Sequence, residues 1–99
     1  MAQIIIQLPD GLSASDILSA ARRNGVKSVR VFGSRARGEA RSDSDLDLLV
    51  ELESGRDLFD LIGLKLDLES KTDVKVEVLT TGFLSPHFRK AIESEAVRL

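Results

Sequence analysis

Val31-Phe32-Gly33-Ser34-Arg35-Ala36-Arg37-Gly38-Glu39-Ala40-Arg41-Ser42-Asp43-Ser44-Asp45-Leu46-Asp47-Leu48-Leu49-Val50 is the stretch whose reading decides how the rest of the chain folds. Val29 and Val31 alternate with polar neighbours up to a Gly-Ser turn, and Leu46, Leu48, Leu49 and Val50 form a second short apolar run. The pattern predicts strand, turn, strand. Side chains alternate faces along a strand, so Asp45 and Asp47 point the same way, about 7 Å apart along the chain and within reach of one hard cation. Two charged carboxylates side by side repel each other, and a bound metal relieves that repulsion. At the other end of the stretch, Gly33 permits close backbone approach. A helical turn beginning at Ser34 would add N–H groups and a hydroxyl to form an anion cradle. The expectation is a phosphate at Gly33 and Ser34 with Mg2+ beside it. The ten residues from Arg35 to Ser44 bring Arg35, Arg37 and Arg41 as positive charge, and Gly38 lets the chain turn back.

Gly-Ser, ten residues and Asp-x-Asp resemble the signature of the DNA polymerase β type nucleotidyltransferases. The wider run, Gly33-Ser-Arg-Ala-Arg-Gly through Ser44-Asp-Leu-Asp, resembles the smallest branch of that superfamily, the minimal nucleotidyltransferases or MntA-like antitoxins, over roughly residues 26 to 99. The resemblance implies an α+β, two-layer domain in which a small mixed β-sheet packs against helices. It also implies Mg2+ as cofactor, ATP as substrate, and a tyrosine of a cognate HEPN-type RNase toxin as the acceptor that AMP silences. On the matching positions, Asp45 and Asp47 would hold the metal against the triphosphate. Gly33 and Ser34 would bind its β and γ oxygens, with Arg35 and Arg37 as further phosphate contacts.

Val74-Lys75-Val76-Glu77-Val78-Leu79 reads as a further strand with the valines on one face and Glu77 on the other. If it lies beside the Asp45–Leu52 strand, Glu77 reaches the Asp45 and Asp47 pair, completing a three-carboxylate cluster or accepting the acceptor's proton. Members of the family commonly carry aspartate there, so this chain departs by one methylene.

Working outward, Ser13 with Asp16 three residues later is a carboxylate variant of the capping box, and Ile17, Leu18 and Ala21 mark a buried helical stripe that Asn24-Gly25 ends. Lys27–Phe32 is the first core strand. From Arg56 to Lys71, Leu58, Ile62 and Leu66 recur every four residues beside a second stripe of Leu61, Leu64 and Leu68, with Phe59 widening the apolar side. One core face needs a narrower stripe than this, so the surplus is covered either by the sheet and last helix or by a partner. Gly63 allows a neighbour to approach closely. Ser85-Pro86 opens a last helix to about Ala96, with Phe88, Ile92 and Ala96 spaced for burial.

Ninety-nine residues with 42% hydrophobic content fit one domain over residues 1–99, in which residues 1–12, with Ile4-Ile5-Ile6 ended by Pro9-Asp10-Gly11, form an arm or edge strand. The absence of cysteine excludes a disulfide framework and a thiolate zinc site. The first residues lack a basic leader and a membrane-length apolar run, so a cytoplasmic protein without membrane attachment is expected. Seven cations against Glu39 lie between residues 22 and 41, and seven anions against Arg56 lie between 43 and 60. That reversal falls inside the motif, as a triphosphate beside a metal requires.

Rival motifs fail on their parts. Asp43-Ser-Asp45-Leu-Asp47 begins like a calcium loop, but Leu48 stands at its glycine and Ser54 at its bidentate glutamate. Gly33 to Gly38 has Walker spacing, yet Glu39 and Ala40 replace the lysine and hydroxyl residue. The only histidine, His87, has no second ligand of its kind. Four aromatics and an acidic total argue against stable nucleic-acid binding. Two other readings stay open: an antitoxin that neutralises by contact alone, and a transferase acting on RNA or a small molecule with a partner subunit. Homo- and hetero-oligomers are both compatible with the sequence.

Overall fold

The computed structural model describes residues 6–99, so most of the Ile4-Ile5-Ile6 run lies outside the described residues. Helix α1, Ala14–Arg23, starts as its cap demands: Ser13 Oγ accepts from the Asp16 N–H while an Asp16 oxygen accepts from the Ser13 N–H, both at 3.0 Å. Its buried stripe is Ile17, Ala20 and Ala21, with Leu18 half-buried at the margin. Asn24 and the positive φ of Gly25 end it.

Strand β1, Val26–Phe32, pairs antiparallel with β2, Leu46–Leu52, and β2 pairs in parallel with β3, Val76–Thr80. A two-residue β4, Val97–Arg98, adds to the other edge of β1, giving the mixed order β3-β2-β1-β4. A register irregularity between Val26 and Ser28 absorbs one residue, which lets Val26 and Val29 both turn inward although they are three apart. Val29, Val31, Leu46, Leu48, Val50 and Val76 are sealed against α1 and against Leu61, Leu64 and Leu68 of α3, Leu58–Glu69. By alternation the opposite face of the sheet carries Asp47, Leu49 and Glu77. One layer of helices therefore packs on the first face of the sheet; on the other, Leu49 is covered as well, while Asp47 and Glu77 stay part-exposed.

The third strand begins at Val76, two residues later than the sequence suggests, because α3 pins it there. Lys65 Nζ donates to the Val76 carbonyl at 2.7 Å, and Glu69 Oε2 accepts from the Val76 N–H at 2.9 Å. Asp57 caps α3 with Asp60 in a second capping box, so the helix is shorter than the 56–71 span. Gly63 does admit a close neighbour, the Asn24 amide, whose Nδ2 donates to Ala20 and Asp67 and ties α1 to α3. The second apolar stripe of α3 is covered by neither sheet nor helix: Leu58, Phe59, Ile62 and Leu66 are exposed, Phe59 at 81%. The last helix, α4, Pro86–Glu95, buries no residue, and Phe88 is 63% exposed, contrary to its spacing. Val97 leaves the helix to pair with Val31 instead. Among the described residues no helix is long and apolar enough to cross a membrane.

Candidate active site

Where β1 stops, Gly33 turns the chain at φ +76° into a single helical turn, α2, Ser34–Arg37, as the Gly-Ser pair led us to expect. The Ala36 and Arg37 N–H groups both donate to the Gly33 carbonyl at 3.1 Å. Gly38, also left-handed, sends the chain back toward β2. In the sheet, Asp47 is opposite Phe32 on one side and Glu77 on the other, so the strand pairing itself places the two acids next to each other. Gly33 lies against Asp47 so tightly that a Cβ there would collide with Asp47 Oδ2. Glycine is required twice, for its φ and for this contact. Asp45 falls just before β2 and is exposed.

Burial raises the Asp47 carboxyl above the usual aspartate range, and the negative charges of Asp45, Glu77 and Glu95 raise it further against the opposing Arg37. An acid crowded by three others with one cation facing it is a donor set suited to a divalent metal, and Asp45 and Asp47 fit such an ion chemically. The three-carboxylate cluster expected with Glu77 is not assembled: among the described residues no three such ligands stand together, and Glu77 Oε1 is 2.7 Å from Lys75 Nζ. That pairing holds the Lys75 ammonium above its usual range.

Of the two arginines expected at phosphate, Arg35 is reassigned. It is 3% exposed, and its guanidinium donates to the carbonyls of Gln7, Arg41, Ser42 and Ser44 at 2.8 to 3.3 Å. With its donors engaged in this way it clamps the loop that delivers Asp45 and Asp47, rather than meeting a ligand. Arg37 remains half-exposed at the site, its guanidinium held above its usual value by Glu39 and Glu95. Sequence reasoning missed Glu95. The last residue of α4 accepts from the Gly33 N–H at 2.9 Å and from Arg37 Nη1 at 3.1 Å. An acid-rich helix end was the one signal, and it carried no address.

Residues 14–99 match the family model described as a nucleotidyltransferase domain. The chain belongs to that family. It is 41% identical over 81 residues to a candidate protein adenylyltransferase of Methanocaldococcus jannaschii, MJ0435, covering 82% of this chain and 87% of the relative. Against the protein adenylyltransferase MntA of Thermococcus cleftensis it is 31% identical over 97 residues, 98% of each. Among solved structures, a candidate minimal nucleotidyltransferase superposes at TM-score 0.76 with 49% identity, over 86% of this chain and 87% of the other. A toxin-antitoxin structure with AMP-PNP shares the fold at TM-score 0.75 and 21% identity, over 88% of this chain and 72% of that one. This nucleotidyltransferase is thus an enzyme of the minimal type, with the small mixed sheet packed against helices that the resemblance implied.

Proposed function

We propose that this nucleotidyltransferase moves AMP from ATP to a tyrosine hydroxyl of a cognate HEPN-type RNase toxin, in an Mg2+-dependent reaction in the cytoplasm, and so acts as an antitoxin. The observation that carries the reading is the contact of Gly33 with Asp47, which supports a phosphate seat at the Gly33 turn beside a carboxylate that suits a metal. The relatives named protein adenylyltransferase, and the solved toxin-antitoxin pairs of the same fold, among them MntA-HepT, support the acceptor and the partner.

In this mechanism the acceptor oxygen bonds to the α-phosphorus, the bond from that phosphorus to the bridging oxygen breaks, and pyrophosphate leaves. Gly33 and Ser34 bind the β and γ oxygens, and Arg37 faces the charge that builds on the leaving group. Asp45 and Asp47 would hold Mg2+, which neutralises charge on the triphosphate and lowers the barrier to attack by a phenol. Glu77, next to Asp47 in the register, would leave its Lys75 partner to take the phenol proton. A hollow of about 310 Å³ lined by Leu58, Leu61, Ile62, Lys65, Glu77 and Val78 joins the exposed face of α3 to this acid. That continuity favours an acceptor presented by a protein surface. The test is label transfer: ATP labelled at the α-phosphate should mark the toxin, and ATP labelled at the γ-phosphate should not. Equal labelling from both positions, or none, would exclude AMP transfer.

A further inference from the structure

The Glu95 carboxylate occupies the donors that the triphosphate would use. Its Oε1 accepts from the Gly33 N–H at 2.9 Å, and its two oxygens accept from Arg37 Nη1 at 3.3 and 3.1 Å. To an N–H and a guanidinium, a carboxylate and a phosphate offer the same thing, oxygen acceptors sharing a negative charge. This contact does not build the core. The Arg37 and Glu95 side chains are 45% and 31% exposed, so solvent screens the pair, and no residue of α4 belongs to the buried cluster beneath the sheet.

We propose that Glu95 is an internal stand-in for the nucleotide's phosphates: it holds the Gly33 N–H and the Arg37 guanidinium until ATP enters, and is then exchanged for the β- and γ-phosphates. The inference rests on the assignment of Gly33 and Ser34 as the triphosphate seat. The incoming phosphates carry more negative charge than the carboxylate they displace, and each donor exchanges one anionic oxygen for another. Glu95 also keeps Arg37 ordered in advance, which reduces what nucleotide binding must spend on immobilising a long side chain. A ligand with only an α-phosphate would not reach these donors and would leave Glu95 in place. When pyrophosphate departs, the carboxylate returns and competes against its rebinding.

The experiment measures dissociation constants of the full chain for Mg2+-ATP and for AMP by titration calorimetry, in wild type, Glu95→Ala and Glu95→Gln, at one salt concentration. Loss of the competitor should tighten ATP binding about tenfold in Glu95→Ala, the equivalent of about 1.4 kcal/mol, and leave AMP binding within about twofold. Glu95→Gln keeps an oxygen for the Gly33 N–H and removes only the charge, so it should show a smaller gain in the same direction. It also carries the test if the alanine variant does not fold. Unchanged or weaker ATP binding in the folded variants, with wild type still binding ATP, overturns the exchange and makes Glu95 a brace for the Gly33 turn. Folded wild type and variants that all fail to bind ATP would instead remove the triphosphate seat itself, and the exchange with it.

Discussion

Helices α1 and α4 are each ten residues long and each begins at a serine whose hydroxyl accepts a backbone N–H three residues on, yet they do different work. The first sinks Ile17, Ala20 and Ala21 into the layer beneath the sheet, while the second buries no residue and holds on through β4 and the Glu95 carboxylate. A cap therefore starts a helix, and what the helix packs against decides its role. The buried cluster lies on the α1 and α3 side of the sheet, and the Gly33 turn is attended by a helix that contributes no residue to that cluster.

That division predicts a descending series of effects. Arg35→Met leaves four carbonyls that the guanidinium had satisfied, and should cost about 4 kcal/mol in urea unfolding, with the loss of any activity that depends on the Asp45 loop. Ile17→Ala, at a fully buried position, should cost about 3 kcal/mol while leaving nucleotide affinity unchanged in the folded fraction. Ser13→Ala removes the oxygen capping α1 and should cost about 1 kcal/mol.

The same cap supplies a pH test. Hydrogen bonds from Ser13 hold the Asp16 carboxyl below the ordinary aspartate range. Its stabilising contribution is present above the unfolded-state value and is lost as pH falls through the lowered folded-state value. Melting temperatures of wild type and Asp16→Asn should accordingly converge on acidification across that window. At the small end, Phe88→Ala in α4 should change stability by less than about 0.5 kcal/mol. A loss comparable to that of Ile17→Ala would break the contrast between the two helices.

What could be read from the sequence was what is local. Gly33, Ser34, Asp45 and Asp47 lie within one strand-turn-strand unit, so turn chemistry and alternation were enough to bring the Gly33 turn and Asp47 to one place. The Ser13 and Asp16 pair is equally local. Arg35 could not be told from Arg37, because its burial depends on four carbonyls that converge only when the loop closes and Gln7 packs beneath it. Glu95 reaches Gly33 across 62 positions, a distance no periodicity reports. For Phe88 the spacing indicated a face but not whether anything would cover it, and the same holds for the outer stripe of α3. The expected link between Glu77 and Asp47 does hold at the level of strand register, although the Glu77 carboxylate turns to Lys75.

On the proposed mechanism, Gly33, Ser34, Asp45 and Asp47 form one site for transfer of AMP to a protein. Its most direct test is the intact mass of the partner toxin after incubation with ATP, Mg2+ and either wild type or the Asp45→Asn, Asp47→Asn double variant. The toxin should gain one or more AMP masses with wild type and none with the variant. An unmodified toxin held in a stable complex by both proteins would contradict it and leave an antitoxin that works by contact alone.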